Sequence, residues 1–127
     1  MKHDWQVGEV LPKAAQAEID FRKFTEYSMN PSNLNNQGKW KAFDLLGYNV
    51  DSVRGRFIAT QHIVDQIRFH LERIPAILDD PSQYGMRFSV KIPIIGFNDR
   101  KGILVTKWQI DNNKCIPRLI TNWLKII

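Results

Sequence analysis

At Gly85 the spacing of apolar residues changes from a helical repeat to a strand repeat, and this change restricts the architecture more than any other feature. Before it, Phe57, Val64, Ile67, Leu71 and Ile74 are separated by 7, 3, 4 and 3 residues, one face of a helix. After it, Phe88, Val90, Ile92 and Ile94 alternate with Arg87, Ser89 and Lys91, the pattern of a strand buried on one side. Ile103–Ile110 and Ile116–Ile126 read as two further strands, joined through turns at 98–102 and 111–114. Helices first and strands after predict an α+β fold: N-terminal helices packed on a C-terminal antiparallel β-meander. Pro93 inside the first strand predicts an edge or a bulge.

Upstream, Asp20 is placed to cap a short helix carrying Phe21, Phe24 and Tyr27, which Pro31 ends. A polar loop spans 30–38. A second helix is expected from Lys39 to Leu46, stopped by Gly47, and a third from Asp51 or Ser52 to about Arg73. Residues 78–86 read as another loop. With 127 residues the chain is expected to form one domain: 1–9 a trimmed linker, 10–80 mainly helical, 86–127 the sheet. Met1 is then read as a processing boundary. No apolar run approaches the ~18 residues of a membrane span.

Charge is unevenly distributed. Residues 1–85 carry 10 basic and 11 acidic side chains, whereas residues 86–127 carry 8 basic and 2 acidic, net +6. A positive field confined to the sheet suits a polyanion or an acidic protein partner. Cys115, the single cysteine, excludes an internal disulfide and a cysteine-based zinc site. Of His3, His62 and His70, the last two lie eight apart, which is not the i, i+4 spacing of a helical metal pair. No metal or cofactor site is expected.

Lys39 and Lys41 flank Trp40 just after Gly38, at the start of the second helix. Their i, i+2 spacing sends them in different directions, so one is expected to meet a phosphate; the bland alternative leaves both solvated, with Trp40 or Phe43 in the core. On the last strand, strict alternation sets Arg118, Ile120 and Asn122 against Leu119, Thr121 and Trp123. On the middle strand, Thr106 and Trp108 oppose Val105, Lys107 and Gln109. A sheet face offering Arg, Lys, Thr, Asn and Trp suits a phosphodiester and a stacked base.

The stretch Leu11-Pro12-Lys13-Ala14, Ala17-Glu18-Ile19-Asp20 and Lys23–Pro31, followed by Gly38, Lys41-Ala42, Phe43 and Gly47-Tyr48, resembles the opening of small toxin domains at the C-termini of secreted bacterial proteins. Thr106–Asp111 and Ile116–Thr121 continue the likeness, which departs from the pattern at Asn35-Asn36, where a histidine sometimes stands. These domains include contact-dependent growth inhibition effectors and are similar to the barnase/EndoU/colicin/RelE superfamily. The resemblance implies a metal-independent ribonuclease, with tRNA the expected substrate, that is carried in a larger secreted effector and delivered to the cytoplasm of a target bacterium. It further implies an acidic immunity protein as partner.

On that footing the catalytic set is Lys39, Lys41, His62, His70, Thr106, Arg118 and Thr121, and the substrate-binding set Lys107, Trp108, Asn122 and Trp123. Arg118 and Thr121 share a face only if Pro117 marks a bulge; without one, Thr121 would act beside Thr106. His62 or His70 would reach in from the third helix as acid or base. The rival reading is a non-catalytic module that binds nucleic acid or protein through its basic sheet.

Overall fold

The computed structural model describes residues 5–127; His3 and the Met1 boundary lie outside them. Two α-helices, α1 (Trp40–Leu45) and α2 (Val53–Leu71), precede four strands, β1 (Ile77–Leu78), β2 (Gly85–Ile95), β3 (Lys101–Asp111) and β4 (Arg118–Ile126). The strands form one antiparallel sheet in the order β1-β2-β3-β4. The expected α+β meander is the fold.

The helix signals act where the sequence has them. Ser52 caps α2, its Oγ accepting from the Gly55 amide at 2.9 Å. Gly47 ends α1 at φ 87°, a left-handed position glycine takes without strain. The chain is held there by the β2–β3 turn, where the Asn98 Nδ2 donates to the Leu45 carbonyl at 3.0 Å. A Cβ on Gly96 would stand 2.1 Å from the Leu46 carbonyl oxygen, so this close approach needs a glycine. Asp20, expected as a helix cap, makes an Asx turn instead, Oδ1 accepting from the Arg22 amide at 2.9 Å, and the N-cap position falls to Arg22 without a side-chain capping bond. The helix that follows is a short π-helical turn, Lys23–Ser28.

Ala59, Ile63, Val64, Ile67 and Leu71 of α2 pack in one core with Phe88, Val90, Ile92 and Ile94 of β2 and Leu104, Trp108 and Ile110 of β3. Phe24, Phe43, Leu46 and Tyr48 close its end. Each large side chain buried there contributes roughly 1.5–3 kcal/mol. Phe57, expected on the buried face, is 48% exposed and instead packs on Phe21. Trp5 departs from the linker expected over 1–9: its ring meets Phe88 edge-on at 5.2 Å, and its Nε1 donates to the Val10 carbonyl at 3.0 Å.

Two features of the sheet differ from expectation. β1 lies within the segment read as helix end and loop; two half-exposed residues are too few to show alternation. It pairs Ile77 with Ser89 and Leu78 with Phe88, which leaves most of the outer edge of β2 free, and Pro93 occupies that free edge. The second difference is the bulge. Arg118 and Leu119 stand opposite Gln109 and Trp108, while Thr121 stands opposite Lys107, so the extra residue is Ile120 rather than a position at Pro117. Arg118, Thr121 and Trp123 therefore share the sheet face away from α2, with Leu119, Asn122 and Leu124 on the core face. Among the described residues no helix is long and apolar enough to cross a membrane.

Candidate functional site

The face away from α2 collects the basic side chains of the last third of the chain. Arg87 and Lys91 of β2, Lys101 and Lys107 of β3, and Arg118 and Lys125 of β4 all occupy its register positions. Six of the eight cations counted after residue 85 thus fall on one surface. Alternation delivers them to that surface, and the bulge keeps Arg118 in phase with the rest.

Within this face lies a cleft of about 460 Å³ lined by Asp79, Asp80, Arg87, Lys107, Ile120, Thr121 and Trp123. The Lys107 Nζ donates to Ser89 Oγ at 2.6 Å, lies 3.4 Å from Asp79 Oδ2 and sits 5.8 Å from the Trp123 ring centroid. Ser89 Oγ donates to Asp79 Oδ2 at 2.5 Å. A second ammonium, Lys39 Nζ, is 5.7 Å from the same Trp123 ring and donates to the Tyr27 hydroxyl at 2.8 Å. Two cations thus border one indole beside a threonine hydroxyl. An anion with an attached aromatic base fits such an arrangement: the cations meet the charge and the indole offers a stacking surface.

Of the lysine pair, Lys39 reaches the sheet face. Lys41 folds back beside Gly38, its Nζ 5.9 Å from the Trp40 ring, and Phe43 is the core residue of that helix.

Arg118 stands at the cleft's margin and is already engaged. Its Nε donates to Asp111 Oδ2 at 2.8 Å and its Nη2 to Asp111 Oδ1 at 3.2 Å. Those bonds, with a further one from Gln109, hold the Asp111 carboxyl below the usual carboxylate range, and the same carboxylate raises Arg118. The network continues inward, since Gln109 Oε1 accepts from Arg87 Nε at 2.9 Å and from Ser82 Oγ at 3.1 Å. The bidentate fork that the sequence offered to a phosphate is occupied by Asp111, and Arg118 orders Asp111, Gln109 and Arg87 along the cleft's edge.

Five candidates lie elsewhere. Thr106 is fully buried on the core face, where its Oγ1 donates to the Val90 carbonyl at 2.6 Å and accepts from Trp108 Nε1 at 2.8 Å. Trp108 is fully buried beside it, filling the core rather than meeting a base. Asn122 is also fully buried, its Nδ2 donating to the Lys23 carbonyl at 3.2 Å. The bulge shifts the phase of β4 and puts Thr121 and Asn122 on faces set by their partners Lys107 and Thr106.

The histidines belong to α2, the helix on the core face. His62 Nδ1 lies 2.7 Å from the Tyr48 hydroxyl and 3.3 Å from Gln66 Nε2. Burial pushes the Tyr48 phenol up to about 12, so it keeps its proton. His70 lines a separate pocket with Gln66, Ile94, Ile95 and Ile127. Neither reaches Thr121. Among the described residues no three of His, Cys, Asp and Glu come together in a set that could hold a metal.

The residues the sequence left unmarked are Tyr27, Asp79, Asp80 and Ser89. Arg87 and Ser89 were visible as the polar half of the β2 alternation. The two aspartates carried no periodic signal, since β1 is what brings them to the cleft.

Residues 10–125 match the family model described as a domain of unknown function, DUF6883, and the chain belongs to that family. Compared by sequence with curated proteins, it has no match. Its fold is similar to that of a chain in the structure described as a contact-dependent growth inhibition toxin–immunity protein complex from Klebsiella pneumoniae 342. The TM-score is 0.59 at 17% identity, covering 88% of this chain and 96% of that one.

Proposed function

We propose that this chain is an antibacterial toxin domain of the barnase/EndoU/colicin/RelE type, acting as a metal-independent ribonuclease on tRNA. The observation that carries the reading is the Trp123 indole, which lines the cleft with Lys107 and Thr121 and has the Lys39 ammonium 5.7 Å from its ring. A ribonucleotide supplies its own nucleophile, the 2′-hydroxyl. The protein's part is then to seat the base, stabilise the charge of the phosphorane and move two protons. Trp123 seats the base, Lys39 and Lys107 meet the phosphate, and Thr121 donates to a phosphorane oxygen. The fold likeness to a chain of a growth-inhibition toxin–immunity complex supports the toxin role. An acidic immunity protein that covers the basic face would silence the domain. In this reading the domain travels in a larger secreted effector and acts in the cytoplasm of the target cell.

One observation favours the rival reading of a non-catalytic RNA- or protein-binding module: Arg118 is neutralised by Asp111, and both described histidines lie off the face. Tightly controlled expression followed by denaturing gels of total RNA separates the two. The ribonuclease yields discrete fragments, formed equally in EDTA. Intact RNA from growth-arrested cells sinks the ribonuclease reading, and cleavage that EDTA abolishes sinks its metal independence.

A further inference from the structure

Resting on the ribonuclease reading, we propose that Tyr27 is the general acid that protonates the leaving 5′-oxygen. Cleavage of a phosphodiester by its own 2′-hydroxyl needs such a donor, and neither histidine of α2 is on this face. Of the other proton-bearing groups of the cleft, Thr121 serves a phosphorane oxygen in this reading, and two more are engaged within the protein. Ser89 gives its hydroxyl proton to Asp79, and Lys107 is held by Ser89 and Asp79. The Tyr27 oxygen accepts from Lys39 Nζ, and among the described residues this is its only hydrogen bond, so its own O–H is free to donate. Lys39 lies 4.7 Å from the Tyr27 ring centroid and 5.7 Å from that of Trp123, which carries the phenol to the border of the base platform.

The backbone supports the assignment independently. Tyr27 sits in the π-helical turn Lys23–Ser28, a rare geometry found frequently at functional sites. Asp79 supplies the partner base: its Oδ2 is taken by Ser89 and Lys107, its Oδ1 is open, and it lines the cleft with Thr121 and Trp123.

In the step, the 2′-oxygen bonds to phosphorus and its proton passes to the Asp79 carboxylate. The bond from phosphorus to the 5′-oxygen breaks, and that oxygen takes the Tyr27 proton. The products are a 2′,3′-cyclic phosphate and a 5′-hydroxyl. The Lys39 ammonium faces the phenolate left behind, and water returns both side chains to their starting state. Nothing is oxidised or reduced.

The test compares wild type and Tyr27→Phe on two RNA oligonucleotides, one ordinary and one with sulfur replacing the bridging 5′-oxygen, whose thiolate departs without an acid. The variant should be on the order of 10²-fold slower on the ordinary RNA and match wild type on the sulfur substrate. Equal slowing on both would make Tyr27 a positioning residue and overturn the proposal, as would no slowing on either. Activity on the sulfur substrate also reports that the variant is folded. A folded wild type that cleaves neither RNA fails the ribonuclease reading itself, a result distinct from any of these.

Discussion

Thr121 stands opposite Lys107 in the β3–β4 ladder, although two residues earlier Leu119 stands opposite Trp108. The unpaired Ile120 between them rotates the start of β4 by one side-chain position, and this sets Arg118 and Thr121 on the same face. Were Ile120 instead paired in regular register with Trp108, Leu119, now 2% exposed, would fall opposite Gln109 and turn out of the core.

The two lysines at the start of α1 should separate cleanly. Lys39→Ala is expected to slow RNA cleavage by about 10²-fold, the usual cost of one charge-stabilising donor. Lys41→Ala should stay within a few-fold of wild type, because its ammonium lies over Trp40. Single-turnover rates on one RNA substrate measure both, and a reversed order would show that the wrong lysine has been placed at the phosphate.

The two threonines should part between activity and stability. Thr106→Val leaves the buried Trp108 N–H without its acceptor and should cost about 1–3 kcal/mol in urea unfolding. Its cleavage rate per folded molecule should be unchanged. Thr121→Val should leave the urea midpoint in place and lower cleavage. Both effects falling on stability alone would remove Thr121 from the site.

His62→Gln and His70→Gln should each retain the wild-type cleavage rate and its pH profile. Both side chains lie with α2 on the core side of the sheet. Loss of one limb of the pH profile in either variant would place that histidine in the chemistry after all.

Arg118 and Asp111 give a signed pH effect. The Asp111 carboxyl is depressed in the fold, chiefly by Arg118, so the pair's contribution is present above the unfolded aspartate value of about 3.9. It is lost as pH falls through the depressed folded value. Wild type should therefore exceed Asp111→Asn in stability at neutral pH, and the gap should close under strong acid. The side chains are 42% and 28% exposed, so salt should shrink the gap at neutral pH as well. Urea titrations across pH, at low and high salt, measure it.

An acidic immunity protein docking on the basic face should associate fast at low ionic strength and progressively more slowly as salt is added. Lys91→Glu and Lys125→Glu, both on that face, should lower the association rate. Stopped-flow kinetics at several salt concentrations test this, and a rate indifferent to salt would point to a different docking surface.

Local rules fixed much of this chain before any tertiary contact was considered. The change of period at Gly85, the cap at Ser52, the stop at Gly47 and the alternation of Phe88–Ile94 each act through a few neighbouring residues. They were enough to give the helix-then-sheet order and a sheet face rich in cations. Tertiary structure decided which of those cations meet. The bulge at Ile120 is a property of the pairing between β3 and β4, and it reversed the faces expected for Thr121 and Asn122. β1 is only two residues long, so it exists because β2 offers it an edge, and with it Asp79 arrives beside Lys107. Lys39 and Trp123 are 84 residues apart in the chain, and no periodicity links positions whose contact depends on how a whole helix docks against a strand. Thr106 and Trp108 were correctly read as sharing one face, but whether that face met solvent or α2 depended on which side of the sheet the helix packed.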